Sequence, residues 1–293
     1  MLTPRRISYA VLVFMLVLAG CLHLGSPLLA ILFSYFALSK FLALTKKRWI
    51  AFILFLLVAI GIAGGAVFYK GWQWLYHSPG ETPGITGGAR APLRAVLNKN
   101  ESVFKKAFSK NHLVKTYPKS IAAQKVRVNS YIGLKDDKFL PESWTLMVLK
   151  GAGDMLKLSI DEIKALPKTE IVFDFKCVEG WDQIQHWAGV RMIDFIDHYQ
   201  LHQLSMMEYM GMMTPDEQYY VGLDMESALH PQTILAYEMN GMPLTPEHGA
   251  PLRLIIPVKY GIKNLKRIGS IFFSNTRPRD YWAERGYDYY SGL

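Results

Sequence analysis

Acidic side chains are missing from the first 80 residues of this 293-residue chain; the first is Glu81. Cysteine is scarce as well, with only Cys21 and Cys177. Two cysteines so far apart, one of them in an apolar run, exclude a disulfide framework and leave too few sulfur ligands for a cysteine-based zinc site. No glycine-rich dinucleotide fingerprint follows a strand pattern, no phosphate-loop motif occurs and no Gly-x-Ser-x-Gly elbow is present. Those absences remove the commonest nucleotide-binding and hydrolase readings. What is present is apolar: 51% of residues are hydrophobic and 13% aromatic, enough to build a core and to exclude a disordered chain.

The formal net charge of +9 is unevenly placed. Seven basic residues (Arg5, Arg6, Lys40, Lys46, Lys47, Arg48 and Lys70) fall in the first 80 positions. Positions 81–125 carry nine basic residues against two acids, and positions 126–293 carry 17 against 22. The last span is therefore net negative, which argues against a nucleic-acid partner for the folded part.

From Ile7 to Ser39 there are 33 residues without a charged side chain, and from Trp49 to Tyr69 another 21. Each run exceeds the ~20 residues that span a bilayer. The second ends beside Lys70, Trp72, Trp74 and Tyr76, an interfacial belt, and predicts a transmembrane helix. The first has basic residues at both ends, so the positive-inside bias predicts a hairpin folded at His23-Leu-Gly-Ser-Pro27. His23 is then a polar residue at the turn; a bis-histidine haem site would need a second intramembrane histidine. With both hairpin ends cytoplasmic, everything after Tyr69 faces the far side, the periplasm of a bacterial inner membrane. Thr3-Pro-Arg-Arg-Ile-Ser8 leaves a twin-arginine export route open.

Residues 1–70 are thus read as a membrane anchor and residues 71–125 as a basic, Gly/Pro-rich linker. Ser78-Pro-Gly-Glu-Thr-Pro-Gly-Ile-Thr-Gly-Gly88 cannot hold a regular element, and Lys105, Lys106, Lys110, Lys115 and Lys119 suit anionic lipid headgroups. Residues 126–293 form the remaining domain. Strands are predicted at Trp144–Lys150, Met155–Leu158, Glu170–Cys177, Tyr219–Leu223, Thr233–Met239, Leu252–Pro257 and Ile268–Phe273. Ser159-Ile-Asp-Glu162 reads as a capping box opening a helix, Val190–Tyr199 has helical apolar spacing, and Asn240-Gly241 marks a tight turn. The connections are too short for regular βαβ crossovers, so the fold class is α+β with a mixed sheet. Met206, Met207, Met210, Met212 and Met213 cluster as adaptable packing or a docking surface.

The chemistry-bearing residues are a lone cysteine at a strand end, in Lys176-Cys-Val-Glu-Gly-Trp181, followed by His248-Gly-Ala-Pro-Leu-Arg253 and Lys259-Tyr-Gly-Ile-Lys-Asn-Leu-Lys-Arg267. With Val126-Arg-Val-Asn129 and Ala236-Tyr-Glu-Met-Asn-Gly-Met-Pro-Leu244, these span residues 126–293 in order. Together they resemble the molybdopterin domain of the sulfite-oxidase family, most of all its bacterial periplasmic protein-methionine-sulfoxide reductase catalytic-subunit branch.

The resemblance implies a sulfite-oxidase-type fold and a molybdenum–molybdopterin cofactor whose metal takes Cys177 as its protein ligand. It implies cofactor contacts at Asn129, Thr214, His248, Arg253, Asn264, Leu265 and Lys266. It also implies an active-site tyrosine at Tyr219, with Tyr220 one position away. A soft thiolate suits a high-valent metal that must keep positions open, and basic residues suit an anionic pterin phosphate.

Where sulfite oxidases carry arginines after the metal-binding cysteine, this chain has Val178-Glu-Gly-Trp-Asp182. Two acids and an indole disfavour a dianion and favour a neutral sulfoxide-type substrate, small or protein-bound. The expectation is an oxygen-atom-transfer oxidoreductase served by a separate redox partner, membrane-bound by preference. A sulfite-type oxidase on the same fold and a cofactor-free, membrane-tethered binding module are the alternatives.

Overall fold

The computed structural model describes residues 35, 39–45, 47–78, 89–107, 112–135, 139–151 and 153–292. Two compact units divide the chain, Met1–His77 and Ser78–Leu293.

In the first unit, α1 (Arg48–His77) runs 30 residues through the second apolar stretch. The hairpin expected over Ile7–Ser39 falls outside the described residues except at Tyr35 and Ser39. Among the described residues, no helix is long and apolar enough to cross a membrane. The fold therefore does not establish the anchor, which continues to rest on the apolar and charge pattern of the sequence.

The second unit begins with α2 (Ala91–Ala107), inside the span expected to be linker. Two five-stranded sheets follow. The first has the order β2-β1-β10-β5-β6, built from β1 (Leu146–Gly151), β2 (Asp154–Leu158), β5 (Tyr209–Met213), β6 (Tyr220–Asp224) and β10 (Ser270–Ser274). Its β1–β10 pair is parallel and the others antiparallel, so the sheet is mixed. The second sheet is antiparallel, with β3 (Lys168–Lys176), β4 (Asp182–Arg191), β7 (Ile234–Met239) and β8 (Met242–Pro243) in order and β9 (Arg253–Ile255) also on β7.

The helices of this unit are short: α3 (Ile160–Lys164), α4 (Met192–His198), α5 (His202–Ser205), α6 (Met225–Ala228) and α7 (Tyr281–Glu284). The predicted box at the start of α3 is formed, with Ser159 Oγ accepting from the Glu162 amide and the Glu162 carboxylate accepting from the Ser159 amide. Asn240 and Gly241 both take positive φ, 52° and 76°, as the tight turn from β7 to β8 requires.

Leu146, Val148, Phe195, Met210, Met212, Leu254 and Ile271 belong to the main core. Met210 and Met212 sit on β5, fully buried, whereas Met206 is 85% exposed. The methionine cluster is therefore mostly strand interior, not a docking surface. A smaller core of Ile171, Phe173, Phe175, Trp187 and Ile255 lies on the second sheet, behind the turn that carries Cys177.

The β4–β7 register shifts between Ala188 and Gly189, and a Cβ on Gly189 would collide with the carbonyl of Leu235. The three nearest atoms are all β7 backbone, which has nothing free to yield. Gly189→Ala should destabilise the second unit by about 2 kcal/mol or more, read as a lower urea midpoint; an unchanged midpoint would contradict this packing.

Candidate active site

β3 and β4 pair from Lys168↔Val190 to Lys176↔Asp182, which leaves Cys177–Trp181 as the connecting turn. The turn is closed by the Cys177 amide donating to the Trp181 carbonyl at 2.9 Å and the Gly180 amide donating to the Cys177 carbonyl at 3.1 Å. Gly180 has φ of +83°, a conformation that L side chains rarely adopt. Trp181 is pinned from three directions. Its ring stacks on Phe175 at 6.0 Å, its indole N–H donates to Glu179 at 2.8 Å, and the Arg127 guanidinium lies 4.6 Å from the ring centre. A rigid strand end and a pinned turn thus hold one thiol in place.

That thiol lines a small cavity of about 60 Å³ together with Asn129, Ser130, Glu179, Tyr219, Asn264 and Lys266. Ile132, Val178, Ile262, Trp282 and Tyr287 give it apolar walls, and Gly261 completes it. A Cβ on Gly261 would press on Phe175 at 2.9 Å and on the Asn129 amide nitrogen at 3.3 Å. Burial pushes the Cys177 thiol above its ordinary pKa, against the backbone hydrogen bonds from Val178 and Glu179. Left alone it is a thiol; a bound metal would convert it to thiolate.

Of the expected residues, Asn129, Cys177, Tyr219, Asn264 and Lys266 meet at this cavity and four others stand back from it. Thr214 is buried beneath, its hydroxyl 2.6 Å from the Asp216 carboxylate, and a Cβ on Gly133 would come within 2.6 Å of its methyl. Leu265 is a core residue. His248 is buried and bonded to Thr245 at 2.8 Å and the Val126 carbonyl at 3.3 Å. Arg253 lies under the loop, donating to the carbonyls of His248 (3.1 Å) and Asn264 (3.3 Å).

Between the two tyrosines the geometry distinguishes clearly. Tyr219 is buried and donates to the Ile262 carbonyl at 2.5 Å, while the Tyr220 hydroxyl bonds Glu284 at 2.5 Å and does not line the cavity. Trp282 and Tyr287, both wall residues, carry no signal in the linear sequence. They reach the site only because α7 folds back against Tyr219 through Tyr281, whose ring lies 5.3 Å from those of both Tyr219 and Trp282.

The buried lysines and Arg253 differ in what answers their charge. Lys259 pairs with Asp224 at 2.8 Å and Lys263 with Asp280 at 2.5 Å, all four nearly inaccessible. Arg253 and Lys266 are equally buried, 1% and 5% exposed, and among the described residues neither has a carboxylate within ion-pair distance. The Arg253 Nε has no hydrogen-bond partner at all. Lys266 donates to three carbonyls, those of Asn129 (2.5 Å), Ser130 (2.9 Å) and Glu247 (2.9 Å), which satisfies its protons but not its charge. Burial lowers the Arg253 pKa to about 9; burial together with neighbouring Arg253 lowers that of Lys266 to about 7.

Two buried basic groups without a carboxylate in ion-pair distance, one of them held near pKa 7 despite the pull of Glu247, are what an anionic ligand beside the cavity would return to full charge. Among the described residues no cluster of three or more His, Cys, Asp or Glu could hold a metal ion. A metal bound to Cys177 would have to arrive with other ligands already attached. A metal-bearing anionic pterin fits both requirements.

Residues 133–282 match the family described as oxidoreductase molybdopterin binding domain. The chain is 34% identical over 203 residues to an Azospira oryzae protein provisionally named protein-methionine-sulfoxide reductase subunit YedZ1, covering 68% of this chain and 76% of that one. It is 31% identical to the protein-methionine-sulfoxide reductase catalytic subunit MsrP of Campylobacter jejuni, covering 53% of this chain and 58% of the relative. For the MsrP of Xanthomonas axonopodis pv. citri the identity is 32%, with 48% of each chain covered. The chain thus spans about half the length of these two catalytic-subunit relatives.

Inorganic phosphate should act as a surrogate anion on cofactor-free protein, raising stability by about 2.7 kcal/mol at a hundredfold excess over its dissociation constant. Arg253→Met and Lys266→Met should each lose most of that gain in thermal unfolding; an equal phosphate effect in wild type and both variants would contradict the charge argument. His248 gives a pH signature. Burial and Arg253 hold its pKa below the ordinary value, so the unfolded chain binds the proton more readily and stability falls as pH drops below about 6.5. His248→Gln should flatten that slope between pH 7 and 5, leaving the part due to His230, whose pKa is also lowered by burial, and, near pH 7, to Lys266; an unaltered slope would show that His248 takes up its proton without cost.

Proposed function

Because this chain belongs to the oxidoreductase molybdopterin binding domain family and is an oxidoreductase, we propose that it is a membrane-anchored molybdenum enzyme reducing a sulfoxide-type substrate. The observation that carries the reading is a single buried thiol facing a cavity beside two buried cations without carboxylate partners.

In this reading Cys177 holds the metal. Lys266 and Arg253 neutralise the anionic pterin, with Asn129 and the Asn264 loop shaping its seat. The Asn264 side chain accepts from the Ile256 amide at 2.8 Å and donates to the Tyr260 carbonyl at 3.1 Å, which fixes the loop. His248 supports this loop from behind through its carbonyl on Arg253. When bound, the cofactor supplies oxygen-atom transfer coupled to a two-electron change. The net reaction takes a sulfoxide, two electrons and two protons to a thioether and water.

The chain supplies selectivity. Ile132, Trp282 and Tyr287 offer apolar contact to the carbon substituents of a sulfoxide, and the Glu179 carboxylate at the same cavity opposes a dianion such as sulfite. The relatives named as protein-methionine-sulfoxide reductases support the same direction. Electrons come from a separate redox partner, and a membrane-bound one suits an anchored enzyme.

Anchoring rests on the apolar and charge pattern of the sequence. Phe52, Leu57, Ile60, Val67 and Phe68 are all more than half exposed on a helix whose 21 residues from Trp49 to Tyr69 carry no charge. Exposure of that much apolar surface is stable in lipid, not in water. The basic residues flanking the preceding apolar run support a periplasmic position for the second unit, on a bacterial inner membrane.

Purified protein should contain about one molybdenum per chain and should oxidise reduced viologen dye in the presence of an alkyl aryl sulfoxide. Cys177→Ser should lower that rate by more than about 100-fold, beyond what loss of an outer-sphere partner costs, while circular dichroism shows an intact fold. Turnover with sulfite and none with sulfoxides would select an oxidase instead; absence of metal, or wild-type turnover in the variant, would refute the proposed site.

A further inference from the structure

α2 is amphipathic the wrong way round for a helix packed on a water-soluble domain. Arg94 and Glu101, seven residues apart and so on one face, are its buried side chains, each 5% exposed. Arg94 donates to the carbonyl of Tyr287 at 3.1 Å and to that of Ala283. Glu101 pairs with Arg277 and accepts from the Tyr209 hydroxyl at 3.3 Å. Leu93, Val96, Val103 and Phe104 share a different face and stand 45%, 61%, 54% and 52% exposed, although Phe104 has one side stacked on Tyr290 at 6.1 Å. A helix normally sends such a stripe to the core and its ions to water.

The charges beside this stripe have one sign. Arg90, Lys99 and Lys106 are exposed, and the only acid of the helix, Glu101, is buried and neutralised by Arg277. An exposed apolar stripe flanked solely by basic residues is the pattern of a helix that lies in the headgroup region of an anionic bilayer, with its lysine stems reaching up to phosphate. A protein partner would have to present a matching acidic rim to an apolar knob; an anionic lipid surface supplies both halves at once. In sequence α2 follows the apolar helix α1 after only 13 residues.

We propose that α2 docks the catalytic unit onto the anionic lipid surface through Leu93, Val96, Val103 and Phe104, with Lys99 and Lys106 engaging headgroups. Leu93 and Val96 line a groove with Arg285 and Tyr287, and Tyr287 is also a wall of the Cys177 cavity. The docked face is therefore joined to the site through Tyr287. The inference draws on the membrane-anchored reading above but is separable from it.

The test uses the full chain in bilayers containing phosphatidylglycerol, with p-benzoylphenylalanine replacing Val96, Val103, Asp161 or Leu57 one at a time, and mass spectrometry of the photoadducts. Asp161 is an exposed helix position in the second unit, and Leu57 reports α1. Lipid adducts at Val96 and Val103, with none at Asp161, are expected. In the Val96 and Val103 reporters, Lys99→Glu with Lys106→Glu should cut the adduct yield by at least about fivefold, the partition that one basic residue contributes near an anionic surface. Adducts to protein at Val96 and Val103, whether a second polypeptide or another part of this chain, or no adducts there at all, overturn the docking. Lipid adducts at Leu57 without them at Val96 and Val103 leave the anchor standing and remove the docking alone; lipid adducts at Val96 and Val103 without them at Leu57 do the reverse.

Discussion

Charge without a counter-charge is the constraint around which this site is arranged. Burying a guanidinium and an ammonium costs several kcal/mol per ion unless something negative answers them. Two buried lysines of the same unit have that answer: Lys259 has Asp224 and Lys263 has Asp280. Arg253 and Lys266, beside one cavity, have no carboxylate within ion-pair distance among the described residues: carbonyls accept from both, the Trp187 ring lies 4.5 Å from the Arg253 guanidinium, and Glu247 acts on Lys266 from farther off. A ligand that brings negative charge would answer both groups at once.

The rest of the architecture serves the placement of one sulfur against that field. A nine-residue strand paired along its whole length delivers Cys177, a positive-φ glycine lets the chain turn back, and the stacked, hydrogen-bonded Trp181 stops the turn from swinging. From the opposite side the Gly261–Lys266 loop is fixed by Asn264 and by Arg253 beneath it. Neither half contains a metal site alone, because one thiolate is too few ligands and two cations repel a bare metal ion. The donor set makes sense only for a metal already wrapped in an anionic chelate. α2 repeats the theme on the outside: its ions face inward where partners await them, and its apolar stripe faces out beside lysines.

Much of the second unit was legible from the residues. The capping box at Ser159 and Glu162, the Asn240-Gly241 turn and the alternation in Glu170–Cys177 are local signals whose physics does not depend on distant contacts, and each element formed. β4 was not legible, because its sequence mixes Gln185 and His186 with Trp187 and Val190, and its polar members are buried only thanks to partners such as Glu170, 2.9 Å from His186. β5 was hidden in a run of methionines, whose flexible side chains carry no strand preference. At the site, motif residues whose role is to touch the cavity came together, whereas Thr214, His248, Arg253 and Leu265 proved to stand one layer back. Trp282 and Tyr287 belong to a short helix and its exit that reach the cavity by tertiary folding alone, which no linear spacing encodes.

The central claim is that Cys177 is the protein's own ligand to a pterin-bound molybdenum. X-ray absorption at the molybdenum edge counts the sulfur atoms around the metal directly. Two from the pterin dithiolene and one from the protein, falling to two in Cys177→Ser, is the result the account predicts. The same sulfur count in both proteins would contradict it.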